Sequence, residues 1–153
     1  MTRACDSILA GHAFVRGLSP EQIQRLAEHA TQVTFAENEI ALPYGDPSDG
    51  FYFLVSGSVV VELRTARYAV CVQALSPGDV FGWSALLDDH DTLFQVKARE
   101  VTAALRIEGV ALKSACNADP LLGKEVLRRA LAVVAGRVRA TEIRFAEMCG
   151  IRV

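Results

Sequence analysis

The sequence lacks the positive charge that would mark a nucleic-acid surface. Its 153 residues contain 16 Lys and Arg against 18 Asp and Glu, a formal net charge of −2, whereas domains that bind nucleic acid usually show a clear basic excess. No apolar run approaches the roughly 20 residues of a membrane span, and the apolar stretch near the N-terminus is too short for a secretory signal. We therefore expect a cytoplasmic protein with no direct DNA contact and no membrane partner.

Metal-binding and catalytic patterns are lacking as well. The four cysteines form no C-x-x-C pair and have no histidine at metal-ligand spacing, and a disulfide scaffold is not expected in a domain of this size. No nucleophile–base pair or convergent carboxylate pair stands at an interpretable spacing. We expect free thiols, no metal, no cofactor, no catalytic residue and no enzyme activity. The cysteines are Cys5, Cys71, Cys116 and Cys149.

The chain does contain a change of hydrophobic period, from helical to alternating and back. Apolar residues at helical spacing occupy residues 6–16, and Ser19-Pro20-Glu21-Gln22 has the composition of a capping box that starts a second helix. Between residues 32 and 107, short alternating runs are separated by Gly-, Pro- and Asp-rich turns, which is typical of a β-sandwich or jelly roll. Strands are predicted near residues 33–35, 40–42, 51–55, 59–63, 68–75, 94–98 and 101–107.

The C-terminal part returns to the helical period. A short helix is predicted over residues 110–116, and Asp119-Pro120 supplies the N-cap and first position of a helix that continues to about Met148. An apolar stripe on this helix advances in alternating steps of four and three, which is a heptad seam over about three heptads. It consists of Leu127, Leu131, Val134, Val138, Thr141, Phe145 and Met148.

We interpret this stripe as the seam of a homodimer, because a helix this long extends beyond the face of one small β-domain. The alternative is that all apolar positions of the helix serve one intramolecular core. A second stripe, predicted to pack on the β-domain, consists of Leu122, Val126, Ala130 and Val133. The arginines of the helix are interpreted as solvated outer positions: Arg128, Arg129, Arg137, Arg139 and Arg144.

Three stretches resemble motifs of cyclic nucleotide-binding domains. Residues 45–59 (GDPSDGFYFLVSGSV) resemble the family's signature hairpin, residues 75–82 (LSPGDVFG) the lead-in to its phosphate-binding cassette, and residues 14–23 (FVRGLSPEQI) its N-terminal helices. The resemblance covers about residues 12–148. With its long last helix, the chain is most similar to the effector half of bacterial Crp/Fnr-type regulators, where this helix is the dimer seam.

This resemblance implies an α+β, mainly β fold: a double-stranded β-helix (jelly roll) with N-terminal helices over residues 1–118, and a long C-terminal dimerisation helix over residues 119–149. In the family a winged helix-turn-helix follows the seam helix, whereas this sequence ends at Val153. Either the natural protein has no DNA-binding half, or the chain is cut at the hinge.

The resemblance also predicts where a ligand would bind and which contacts are missing. In the family, small residues let backbone N–H groups approach the phosphate at a helix N-terminus, a Glu binds the ribose and an Arg neutralises the phosphate. Here Trp83 stands at the Glu position and Thr92 at the Arg position. Lys97, the nearest cation, is predicted to point away from the pocket. The candidate ligand-binding residues are Phe81, Gly82, Trp83, Ser84, Ala85, Thr92, Leu93, Phe94 and Thr141.

Loss of both polar contacts predicts weak binding of cAMP and cGMP. A charge-assisted hydrogen bond contributes about 1.5–3 kcal/mol, so losing two lowers affinity by about three decades at ~1.4 kcal/mol per decade. Asp88, Asp89 and Asp91 add repulsion, or simply form a solvated loop tip. We interpret Trp83 as filling the nucleotide's volume, with Phe94 opposite.

The expected function is a Crp/Fnr-type regulatory or sensor domain that is dimeric and has no high-affinity cyclic-nucleotide site. One alternative is a receptor for a cyclic nucleotide or another small-molecule effector with rearranged contacts. Another is a purely structural dimerisation domain. A haem or redox sensor is disfavoured, because the clustered N-terminal cysteines of such relatives are missing and His12, His29 and His90 fit core or surface positions better.

Overall fold

Two four-stranded sheets and four α-helices make up the fold in the computed structural model, which describes residues 2–46, 48–88 and 93–152. One sheet has the strand order β1-β8-β3-β6 and the other β2-β7-β4-β5. Every paired strand in both sheets is antiparallel. This confirms the predicted α+β, mainly β class. The strands are β1 Ala30–Phe35, β2 Ile40–Leu42, β3 Gly50–Ser56, β4 Val59–Arg64, β5 Ala69–Leu75, β6 Val80–Phe81, β7 Phe94–Ala98 and β8 Thr102–Glu108.

The second and the last helix begin where the capping residues predict. Ser19 and Gln22 form the reciprocal capping box that starts α2, and the side chain of Asp119 accepts from the Leu122 N–H at the start of α4. The first predicted helix is interrupted: α1 ends at Ala10, and a separate 3₁₀ turn, Ala13–Val15, follows. His12 caps this turn, because its Nδ1 accepts from the Phe14 N–H at 3.2 Å. The helices are α1 Thr2–Ala10, α2 Pro20–Ala27, α3 Gly109–Ala118 and α4 Pro120–Met148.

Strand β3 divides the core into two clusters. Phe51 and Phe53 point into the cluster that β3 and β8 form with the helices, while Tyr52 and Leu54 point between the two sheets. Because both faces of β3 are covered, its sequence is a continuous run of apolar residues and does not alternate between apolar and polar residues. Each of these side chains is 4% exposed or less, which contributes about 1.5–3 kcal/mol for each large apolar residue.

Helix α4 presents two different apolar faces. Leu122, Val126 and Ala130 are buried and Val133 packs against the helix-side core cluster, which confirms that the second stripe packs on the β-domain. The heptad stripe instead remains largely open in the single chain, with Leu131 and Phe145 each 68% exposed. Among the described residues, no helix combines the length and hydropathy that crossing a bilayer requires.

Candidate functional site

The cassette lies against the start of β3, and glycine makes this close approach possible. Gly82 has φ of 84° and precedes the 3₁₀ turn Trp83–Leu86. A Cβ at Gly82 would lie 2.3 Å from the Gly50 carbonyl oxygen and 2.9 Å from Ser48 Oγ. The Ser48 N–H donates to Ser84 Oγ at 3.0 Å. The small residues of the cassette therefore pack closely against the signature hairpin. The Ser84 hydroxyl already accepts a hydrogen bond from the backbone of that hairpin.

Two of the candidate ligand-binding residues lie in the core instead. The Phe81 ring stacks on Tyr52, with centroids 4.7 Å apart and an interplanar angle of 3°, because its strand directs it between the sheets. Ala85 is buried against Gly109. Thr92 lies outside the described residues, as do Asp89, His90 and Asp91. The candidates that line the two cavities described next are Gly82, Trp83, Ser84, Leu93, Phe94 and Thr141.

The first cavity lies between the cassette and β7 and is small. Its volume is about 40 Å³, which is enough for a few water molecules but far below the roughly 300–1,000 Å³ of a small-molecule site. Trp83 packs against the helix-side core cluster and Phe94 against the cluster between the sheets. The lining residues are Leu42, Pro43, Asp46, Ser48, Gly82, Trp83, Ser84, Phe94, Val96 and Arg137.

The second cavity is much larger and opens on the other side of Trp83 and Phe94. It has a volume of about 610 Å³ and extends along α4, a size within the usual range of ligand pockets. Four of its wall residues on α4, namely Val134, Val138, Thr141 and Phe145, are also positions of the heptad stripe. The remaining lining residues are Leu63, Trp83, Leu93, Phe94, Arg137 and Glu142.

Arg137 belongs to the walls of both cavities, and the prediction that it is solvated is wrong. Its side chain is only 6% exposed. Nε donates to Gln73 Oε1 on β5 at 2.8 Å, and the guanidinium carbon lies 5.2 Å from the centroid of the Phe94 ring, a cation–π distance. Burial lowers the pKa of Arg137 to about 10, so the side chain remains positively charged at neutral pH.

A sequence signal for this burial was present. The inward stripe of α4 advances from Ala130 to Val133 and reaches Arg137 after a further step of four, so the arginine continues the packed face of the helix. Arg129 also departs from the solvated interpretation, because its Nη1 donates to the carbonyl oxygens of Phe14 at 2.6 Å and Arg16 at 2.7 Å. Arg128, Arg139 and Arg144 are exposed, as predicted.

Three further polar side chains that were considered as functional have other partners. Lys97 pairs with Glu62 at 4.0 Å on the opposite face of β7 from Val96, as predicted. Thr141 Oγ1 donates to the Arg137 carbonyl oxygen at 2.8 Å, one turn back on α4. His12 is buried, and with Nδ1 accepting from Phe14, its Nε2 donates to the Leu54 carbonyl oxygen at 3.0 Å. Across the described residues, no group of three or more His, Cys, Asp or Glu side chains could hold a metal ion.

Comparison with known proteins identifies the class of domain. The family model described as "Cyclic nucleotide-binding domain" matches residues 32–119, more than half of the chain. The chain therefore belongs to the cyclic nucleotide-binding domain family, and it fits the Crp/Fnr type within it. The resemblance of the hairpin and of the cassette lead-in is thereby confirmed, and so is the jelly-roll fold that it implied.

Two curated relatives and one solved structure illustrate the similarity. The chain is 25% identical to a CRP-like cAMP-activated global transcriptional regulator of Mycobacterium tuberculosis, over 94% of this chain and 62% of the regulator. It is 32% identical to a cAMP-dependent protein kinase regulatory subunit of Dictyostelium discoideum, over 73% of this chain and 36% of the subunit. The crystal structure of a cyclic nucleotide-binding domain from Methylobacillus flagellatus matches with a TM-score of 0.81 and 20% identity, over 96% of this chain and 85% of that one. The chain thus spans less than two thirds of the length of these two curated relatives.

Proposed function

We propose that this chain is a regulatory sensor domain that forms a homodimer through α4 and does not bind cAMP or cGMP with high affinity. The observation that carries this proposal is the 40 Å³ cavity at the cassette, where Trp83 and Phe94 stand. A regulatory role is supported by the two curated relatives, which are a transcriptional regulator and a kinase regulatory subunit. No catalytic role is proposed for any residue.

Opening the cassette to a nucleotide would require moving packed aromatic side chains. Trp83 and Phe94 contact different core clusters, and aromatic side chains typically bury about 150–250 Å² each. Both are partly buried here, so displacing one of them forfeits the part of that area that it buries, at about 25 cal/mol per Å². A phosphate group in the present cavity would also lie near the carboxylate of Asp46, another of its wall residues. The buried Arg137 belongs to the same wall, so the size of this cavity, and not its charge, disfavours a cyclic nucleotide.

Dimerisation is supported by the exposed heptad stripe of α4. In the single chain Leu127, Val138 and Met148 are at least half exposed, and they belong to the stripe whose members alternate four and three residues apart, the spacing of a coiled-coil seam. Exposed apolar side chains in a continuous row usually mark an interaction surface. The opposite face of the same helix is already packed, so the seam is available to a second copy.

Isothermal titration with cAMP and with cGMP tests the ligand part of this proposal. We expect no saturable binding tighter than about 0.1 mM, because the family's ribose and phosphate contacts are replaced. Micromolar affinity for either nucleotide would contradict the proposal. Light scattering on the same sample tests the dimer separately, and a monomer mass at micromolar concentration would overturn that part alone.

A small-molecule receptor with a different ligand is the second candidate function. The 610 Å³ cavity, with a buried arginine in its wall, favours it. A purely structural dimerisation domain would need neither feature.

A further inference from the structure

We propose that the free edge of β1 accepts an antiparallel strand from a partner protein, and that the partner segment is an extended peptide with apolar residues at alternate positions and basic residues at its ends. This surface, Ala30–Phe35, lies outside the cassette and the last helix, so the inference does not rest on the function proposed above. It combines an unprotected sheet edge with an acidic side chain beyond each end of that edge.

The backbone of β1 has room for a second neighbour. The strand stands at the end of its sheet and pairs with β8 alone in the described part of the chain. In an antiparallel pair about half of the N–H and C=O groups of each strand point to the neighbour, and the others point away. Apart from this ladder, no hydrogen bond among the described residues engages the backbone of residues 31–35. The outward groups therefore form a template for a further strand.

The other three sheet edges are protected against such pairing, whereas β1 is not. β6 has two residues, and β2 has three with a register shift, while α4 packs on β5, where Arg137 donates to Gln73. Short strands, irregular registers and covering helices are means by which proteins block exposed edges. β1 instead pairs with β8 over six residues without a shift, and its sequence contains no charged residue and no proline.

The alternation of side chains along β1 defines what the partner strand must carry. Val33 and Phe35 face the cluster between the two sheets, and Val33 is only partly buried. Gln32 and Thr34 lie on the other face and are exposed. An added strand continues both faces, so apolar residues of the partner would cover Val33, and polar residues would lie beside Gln32 and Thr34.

The charges at the two ends of β1 define the ends of the partner. Glu28 precedes the strand and Glu37 follows it, and both are exposed. No ion pair among the described residues includes either of them. Pairing of β1 with β1 of a second copy would bring Glu28 of one chain near Glu37 of the other at both ends, and like charges opposed across strands are destabilising. Charge therefore favours a segment with lysine or arginine at its ends over a second copy.

Three dye-labelled peptides test this proposal with the full chain. The first is Lys-Lys-Thr-Val-Thr-Ile-Thr-Lys-Lys, the second has glutamate in place of every lysine, and the third has proline in place of the valine and the central threonine. Fluorescence anisotropy at low ionic strength measures their affinities. We expect the lysine peptide to bind saturably with a dissociation constant below about 1 mM and the glutamate peptide to bind at least about tenfold more weakly. The proline peptide should not bind, because it lacks the N–H donors that a ladder requires.

Substitutions and hydrogen exchange locate the peptide on β1. Glu28→Lys and Glu37→Lys should each weaken binding of the lysine peptide by about threefold to tenfold. Glu142→Lys makes the same change of charge at an exposed glutamate on α4 and should leave the affinity unchanged. Amide hydrogen exchange should slow within residues 31–35 when the lysine peptide is added, because outward N–H groups become hydrogen-bonded.

The inference is overturned if the unmodified chain binds the lysine peptide without saturation, or no more tightly than the glutamate or the proline peptide. It is also overturned if the added protection lies outside β1, or if Glu142→Lys weakens binding as much as Glu28→Lys and Glu37→Lys do. Protection of residues 31–35 that rises with protein concentration in the absence of peptide would show that a second copy occupies the edge, against the proposal. Titration with cAMP and the mass of the dimer are separate measurements, so the proposed function stands or fails independently of this surface.

Discussion

Arg129 and Arg137 both lie on α4, and the protein surrounds their guanidinium groups with different partners. Arg129 donates to two carbonyl oxygens of the segment before α2 and pairs with Glu125 at 3.4 Å, so its charge is balanced locally. Arg137 has an amide and an aromatic face as its described partners. The first arrangement fastens α4 to the N-terminal segment. The second keeps a positive charge inside the molecule, in the wall of the larger cavity.

Position 82 requires glycine for two reasons, the positive φ of its backbone and the close approach of neighbouring atoms. We expect Gly82→Ala to lower the free energy of unfolding by about 2–4 kcal/mol, because a positive φ and a backbone clash are imposed together. Gly45→Ala is the matched control: its φ is 95°, but no atom of the described residues lies within 4 Å of the added Cβ, so about 1 kcal/mol is expected. Urea denaturation measures both. Equal losses would show that the close approach of the cassette to β3 is not rigid.

His12 predicts a pH dependence of stability. Burial lowers the pKa of His12 below the ordinary value of 6.5, while the hydrogen bond to the Leu54 backbone and then Asp79 act in the opposite direction. A histidine whose pKa is lower in the folded state binds its proton preferentially when unfolded. Its contribution to stability is therefore complete above about pH 6.5 and is lost as the pH falls through the lower folded-state pKa, by at most ~1.4 kcal/mol per pH unit.

Denaturation at a series of pH values checks this, with His12→Asn as the comparison. Asn can still cap the 3₁₀ turn through its carbonyl oxygen but does not titrate. We expect the unmodified chain to lose more stability than the variant between about pH 7 and pH 5. Parallel profiles over that range would show that His12 accepts a proton in the folded state as readily as in the unfolded chain.

At the scale of elements, α4 carries both the packing that completes the domain and the surface that we propose joins two copies. Val138 is 50% exposed in the single chain, so Val138→Asp should leave the folded protomer nearly as stable while placing like charges opposite each other in a paired seam. We expect the dimer dissociation constant to rise by about a hundredfold or more. Analytical ultracentrifugation measures it.

Ala132→Asp is the control for this substitution. Ala132 is exposed on α4 but lies off the heptad stripe, so the same charge there should leave the dimer intact. If both variants remain dimeric, the chains do not pair through the seam. If both become monomeric, the effect comes from added charge on the helix rather than from its position.

Elements with local signals were predictable from the sequence, and elements without them were not. The capping residues before α2 and α4 marked the starts of both helices correctly. β6 was missed because two residues, Val80 and Phe81, are too few to show a period. α1 was predicted too long, because the apolar spacing continues across Gly11 although the helix ends at Ala10.

At the scale of the whole molecule, the sequence predicted the cassette but not the position of the cavity. The cassette is contiguous in the chain, so its differences from the family's pattern could be identified in the sequence itself. The larger cavity forms only where α4 lies beside Trp83 and Phe94, and the register of that packing depends on long-range contacts. For this reason Arg137, some fifty residues from the cassette in sequence, was not recognised as part of the site.

We propose that the residues of the cassette, and not the fold, exclude a cyclic nucleotide. Titration of the double variant Trp83→Glu, Thr92→Arg with cAMP, beside the unmodified chain, tests it most directly. By the resemblance, these are the positions of the family's ribose Glu and phosphate Arg, and the first change also removes the indole. We predict that the variant binds cAMP at least about a hundredfold more tightly than the unmodified chain. Micromolar binding by the unmodified chain, or no gain in a folded variant, would contradict the claim.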